Sequence, residues 1–353
     1  MSLPVHRYGR FSAAVSALDP FEDVLSWIGG LRSREYAADL LRQHHGITER
    51  SEIKNAAATV ATNTTAALGL IEQAASGPAE LSFLPLYYAI LNLSKIYVAL
   101  GPHRADLPRH RHHGASYNPE QKSSRDIRTE TIGLKPRGVL GLFYTTLTGQ
   151  RWYRAAKLIR MSDVLPFVAS VAFEYGLAFG APAALASVDV TVEGAPSRRF
   201  HLRANIRNQP PQWNGNMREL RAFRGLRQTA PGSATYTSPN VMAATADEAL
   251  AQLTARHLRS FLFYDLQINP IFGKARYLTP VCSRHMLLPE ELPIWLLFFH
   301  MSSIVRYKPE FLSRLRDSRS WPYLLAVRRQ AMFRFVLLFW SYLHQTTFHV
   351  SGR

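Results

Sequence analysis

LPIWLLFFHMSSIVRYKPEFL, residues 292–312, is the stretch from which this chain is best read. An apolar segment, Pro293 to Val305, runs into Arg306 and Tyr307 and then into Lys308, Pro309 and Glu310. At helical spacing Trp295, Phe299, Ser302 and Arg306 share one face, so the guanidinium leaves a core-facing stripe instead of starting on a solvated one. A planar, permanently charged donor fork in that position meets a carboxylate, backbone carbonyls or a bound phosphate. A carboxylate from Glu310 or from the N-terminal helices would make Arg306 an architectural tie. Neighbours limited to Lys and His would instead point to an anion.

With 353 residues the chain can bury a large core, and 47% hydrophobic against 19% charged residues describes a globular protein. The formal charge of +17 makes nucleic acid, RNA or DNA, or another polyanion the expected partner. A protein partner or a second copy of the chain is the alternative. The single cysteine, Cys282, cannot form an internal disulfide, and MSLPVHRYGR lacks the apolar run of a secretory signal, so the expected compartment is the cytoplasm. Val164 to Val188 is broken by Pro166, Glu174 and Pro182, and Pro293 to Val305 is shorter than the roughly twenty residues a membrane helix needs. No integral membrane segment is expected.

Periodicity predicts a mainly helical α+β fold, with helical regions at both ends around a middle section of short antiparallel strands. Residues 1–115 form the N-terminal helical region, with helices over Glu35–Gln43, Ser51–Gln73 and Leu84–Leu100. Residues 116–285 form the mixed middle region. Strands are expected at Gly138–Thr148, Val188–Glu193, Phe200–Arg207, Tyr264–Ile268 and Arg276–Val281, with helices in Ala155–Phe179 and Ala244–Phe263. Residues 286–353 are expected to be helical to about His349 and to pack on the N-terminal helices.

Three constellations stand out. On the helix ending at Leu100, Leu84, Tyr87, Leu91, Ser94 and Val98 make an apolar stripe, and beside it Tyr88, Asn92 and Lys95 make a polar one. Either Lys95 snorkels to water from a helix edge, or the stripe holds a ligand. A His- and Arg-rich loop follows, from His103 to Gly114. Its histidines have no second compact ligand group, so no metal is expected, and no phosphate loop, nucleophile elbow or other cofactor motif occurs. The densest basic block comprises Arg198, Arg199, Arg203, Arg207, Arg218, Arg221, Arg224 and Arg227; it suits sequence-independent phosphate contacts, or is a solvated face.

LPLYYAILNLSKIYVAL followed by HHG, together with LPIWLLFFHMSSIVRYKPEFL, resembles the YaaC-like family of bacterial proteins. In the first segment the match falls on Asn92, Lys95, His113 and Gly114; in the second it falls on Ser302, Arg306 and Tyr307, with Phe311 standing where the family usually has tryptophan. The resemblance implies a mainly helical cytoplasmic protein and brings no reaction with it. Asn92, Lys95, His113, Arg306 and Tyr307 become the candidate anion or ligand site, provided the two segments converge. More loosely, the helix and its loop resemble the HEPN superfamily. That resemblance implies a metal-independent ribonuclease of a defence or toxin system, with Arg104 stabilising phosphate and His110 in acid/base chemistry, although Pro108 lies between them.

Overall fold

The computed structural model describes residues 2–4, 12–110, 112–117, 126–149, 158–194, 198–208, 226–253, 264–265, 277–280 and 288–352. In chain order these give β1 (Ser2–Pro4), β2 (Ser12–Ala17), α1 (Pro20–Gly29), α2 (Arg34–His45), α3 (Arg50–Ser76) and α4 (Phe83–Leu100). Next come β3 (Ala115–Ser116), β4 (Thr131–Leu134), α5 (Val139–Thr148), β5 (Leu158–Arg160), α6 (Ala172–Phe179), β6 (Leu185–Gly194) and β7 (Arg199–Asn208). The chain continues through β8 (Arg227–Gln228), β9 (Thr235–Thr237), β10 (Val241–Met242), α7 (Ala246–Leu253), β11 (Tyr264–Asp265) and β12 (Tyr277–Pro280). It closes with α8 (Glu291–Tyr307), α9 (Pro309–Arg316), α10 (Trp321–Ala326), α11 (Met332–His344) and β13 (Thr347–Gly352). The fold is α+β and mainly helical.

Helix starts follow side-chain capping. Asp19 accepts the backbone N–H groups of Phe21 and Glu22 at the head of α1, Ser33 accepts that of Tyr36 in α2, and the Glu49 carboxylate accepts those of Ser51 and Glu52 in α3. The core is built around α4 and α8. In α8 every residue from Glu291 to Ile304 is buried, and in α4 only Leu84, Pro85, Tyr88, Asn92 and Lys95 keep partial access to solvent. By length and composition α4 alone among the described helices is apolar enough to cross a membrane, and 72% of it is buried inside this core. Tyr87 locks the two helices together, its ring meeting Trp295 and Phe299 edge-on at 5.4 Å. At the other end of α8, Arg334 of α11 donates two 2.7 Å hydrogen bonds to the buried Glu290 carboxylate.

An antiparallel sheet in the order β11-β12-β6-β7-β9-β8, with β1 also on β6 and β10 also on β7, forms a second body of structure. Along β6 the alternation puts Ala186, Val188, Val190 and Val192 inward, where with Leu202, Ala204, Ile206 and α7's Leu250 and Leu253 they make a separate small core. The strands β3-β4-β5 make a small antiparallel sheet, and β13 pairs in parallel with β2.

Two expectations need correction. Gly138–Thr148 is the helix α5, not a strand: its apolar residues are buried on all sides, which removes the period, and the Thr145 and Thr148 hydroxyls bond back to the carbonyls of Gly141 and Tyr144. Within Ala155–Phe179 the expected helix is α6, and the described part begins as β5, which pairs with β4. The C-terminal helices stop at His344, where Gln345 turns into the left-handed region (φ 48°) and releases the chain into β13. Helix α1 was not anticipated. Of the expected helix Ala244–Phe263, α7 is described and residues 254–263 lie outside the described set, as do residues 266–268, Arg276 and Val281 of the two expected strands.

Candidate functional site

The packing of α4 against α8 brings the polar stripe of one to the exit of the other. Arg306 is half-buried; its Nε donates to the Ser302 carbonyl of its own helix at 3.3 Å, and its Nη1 donates to the Tyr88 hydroxyl at 3.4 Å. Both bonds are long and both acceptors are neutral. One turn apart on α4, the Asn92 side chain donates to the Tyr88 carbonyl (2.8 Å) and accepts from Lys95 Nζ (3.1 Å). Burial pushes the Lys95 ammonium below its usual pKa. Among the described residues neither Arg306 nor Lys95 has a carboxylate within ion-pair distance; Glu310 in particular does not pair with Arg306.

His113 reaches the same place from the loop. Its Nδ1 shares a short hydrogen bond with the Tyr87 hydroxyl, and the two rings stack at 5.6 Å. Its pKa lies below the usual histidine value, first because it is partly buried and then because the positive charges of Arg306 and Lys95, with His112, bear on it. Lys95, His113 and Arg306 gather around Tyr88, which receives Arg306 on its hydroxyl, holds Lys95 through Asn92 and meets the His113 ring edge-on at 5.8 Å.

The loop is fixed by backbone bonds to the segment leading into α5. Val139 and Leu140 donate to the carbonyls of His112 and His113 (2.8 and 2.9 Å), and Lys135 donates to that of Gly114 (3.0 Å). Gly114 (φ 90°) and Gly138 (φ 130°) cross in contact, and a Cβ on Gly138 would fall on the Gly114 Cα and nitrogen. The glycine of HHG is thus required by the crossing that positions His113.

Tyr307, 54% exposed at the end of the buried α8, borders the cluster, with the Arg306 guanidinium carbon 5.1 Å from its ring centroid. Its other neighbour is Tyr117, nearly parallel to it at 6.4 Å. Behind them the Tyr117 hydroxyl donates to the fully buried Glu130 carboxylate (3.1 Å), which also meets Lys308 at 3.6 Å. His300, inside the same wall, is pushed down to a pKa of about 3 by burial and then by Lys308. Sequence reasoning missed Tyr87, Tyr117, Glu130 and Lys308. Tyr87 and Lys308 sit inside the two quoted segments, whereas Tyr117 and Glu130 come from a stretch with no periodicity to mark them.

The other candidates lie elsewhere. Arg104 is tied to Glu52 of α3 (2.7 and 3.1 Å) and to the Gly101 carbonyl, and the Nδ1 of His110 accepts the Gly138 N–H at 2.9 Å. On the large sheet Arg203 pairs with Glu193 at 3.2 Å and Arg207 pairs with Asp189, while Arg198, Arg199 and Arg227 are exposed. Arg218, Arg221, Arg224 and Cys282 lie outside the described residues. Among the described residues no three His, Cys, Asp or Glu side chains are placed to hold a metal.

Fold and site together define a mainly helical α+β protein with a half-buried cationic cluster where two core helices meet a glycine-braced loop. Residues 30–343 match the model of the family described as YaaC-like Protein, and the chain belongs to that family. No curated protein and no solved structure matches it.

Proposed function

We propose that this YaaC-like protein binds a phosphate-bearing ligand at Lys95, His113 and Arg306, with Asn92 and Tyr88 orienting the two cations and Tyr307 at the border. The observation that carries this reading is the meeting of a half-buried lysine and arginine with a histidine, with no counter-charge among the described residues. Partly desolvated like charges repel one another, and an anion among them reverses the sign of each interaction. Arginine's fork and lysine's ammonium both suit phosphate oxygens. A nucleic acid is one source of such phosphates, and the charge of +17 favours its approach.

Isothermal titration of the full chain with inorganic phosphate, against chloride at matched ionic strength, tests this. Saturable heat with phosphate that disappears in Arg306→Met and Lys95→Met supports the proposal; identical traces for phosphate and chloride reject it.

A further inference from the structure

Tyr87 engages Nδ1 of His113 and leaves Nε2 as its other hydrogen-bonding nitrogen. Burial raises the Tyr87 hydroxyl's pKa far above the phenol range, so it keeps its proton, and the only hydrogen-bond partner it has among the described residues is Nδ1 of His113. The phenol proton therefore goes to Nδ1, and the neutral imidazole carries its own hydrogen on Nε2. His113 is then a donor on its free side. Asn92 Oδ1 is occupied by Lys95, and the Tyr88 oxygen receives Arg306. What remains to face a ligand is Lys95 Nζ, the Arg306 guanidinium and His113 Nε2–H: three donors, two of them cationic.

Such a set selects against several common anions. A carboxylate brings one charge and two oxygens. A phosphodiester brings one charge on two unesterified oxygens, the ester oxygens being poor acceptors, and so leaves one positive charge unmatched. A phosphomonoester near neutral pH is largely a dianion with three unesterified oxygens. We infer that the cluster takes a terminal phosphomonoester in preference to a phosphodiester or a carboxylate, with Tyr87 as the positioning residue that presents His113 Nε2–H to the third oxygen. This inference rests on the phosphate reading above. The half-exposed ring of Tyr307 beside Arg306 offers the organic part of the ester a flat surface. A free nucleotide and the 5′ end of an RNA chain present the same chemistry.

The full chain is titrated calorimetrically at pH 7.5 with inorganic phosphate, adenosine 5′-monophosphate, its 3′,5′-cyclic diester, and one RNA sequence bearing either a 5′-phosphate or a 5′-hydroxyl. The expected result is at least about tenfold tighter binding of a monoester than of its matched diester-only ligand, the loss that follows when one charge-assisted hydrogen bond is removed. The nucleotide pair and the RNA pair separate the two sources, since preference within either pair sustains the inference. In Tyr87→Phe the discrimination narrows while inorganic phosphate still binds, and the ¹⁵N shifts of His113 lose the Nε2–H signature. Phosphate binding with equal affinity for monoester and diester in both pairs overturns the inference and leaves the phosphate site standing. Absence of binding by every phosphate ligand overturns both.

Discussion

Two arginines of this fold sit at opposite ends of the same core helix and are expected to answer the same substitution in opposite ways. Arg334 makes two 2.7 Å bonds to Glu290, with both side chains buried, so Arg334→Met leaves a buried carboxylate without its counter-charge. Breaking such a pair from one side costs about 3–5 kcal/mol. Arg306→Met removes two long hydrogen bonds to neutral oxygens, at 3.3 and 3.4 Å, each worth no more than about 1 kcal/mol. The same change relieves repulsion with Lys95 and retains the apolar stem, so the net effect should stay within about 1 kcal/mol of zero. Urea unfolding at pH 7.5 in phosphate-free buffer, with m held common if the slopes agree, reads the difference directly. The expected gap between the variants is about 2 kcal/mol or more. Equal destabilisation by the two substitutions would make Arg306 an architectural tie and refute the reasoning that its charge is there for a ligand.

Three further outcomes follow from the geometry. Gly138→Ala places a side chain onto Gly114 at a φ of 130°, so it should cost about 1–3 kcal/mol and weaken phosphate binding by moving His113; thermal melting and titration check both, and an unaltered variant contradicts the crossing. Burial lowers His45 and His344 to about 4 and His300 to about 3, whereas in the unfolded chain all three titrate near 6.5. Below pH 6.5 the unfolded state therefore binds protons that the folded state refuses, and stability should fall from pH 6.5 towards 4, less steeply in His300→Leu; stability that is flat from pH 7 to 5 argues against this. Arg104→Ala removes a partly exposed ion pair with Glu52, so it should cost no more than about 1 kcal/mol and leave phosphate affinity unchanged; a tenfold loss of affinity would bring Arg104 into the site.

Much of this architecture was legible in the chain, for identifiable reasons. Helices α2, α3 and α4 were placed to within a few residues because a long apolar period and breaks at Gly46, Gly77 and Gly101 mark them. The strands β6 and β7 are legible through their β-branched and aromatic content on either side of Gly194, Ala195 and Pro196. Helix α5 was not, because burial on every side erases the amphipathic period and leaves only its β-branched and aromatic residues to be read. The pairing of β2 with β13 joins segments more than 300 residues apart in parallel, and no local signal announces such a contact. At the site, Asn92, Lys95, His113, Arg306 and Tyr307 were named from two segments whose meeting the packing of α4 on α8 supplies. The role of Tyr87 could not be read, since which hydroxyl meets which imidazole nitrogen depends on the Gly114–Gly138 crossing. The HEPN resemblance singles out Arg104 and His110; the partners the structure gives them, Glu52 and the Gly138 N–H, are distant in sequence and no local pattern marks them.

An anion entering among Lys95, His113 and Arg306 has a built-in reporter in His113, whose pKa responds to the charges of both cations. The His113 pKa, followed by NMR across a pH series with and without saturating inorganic phosphate at matched ionic strength, should begin below 6.5 and rise when phosphate is present, as the anion offsets the charges of Arg306 and Lys95. A His113 pKa that saturating phosphate leaves unmoved would contradict the assignment of this cluster as a phosphate site.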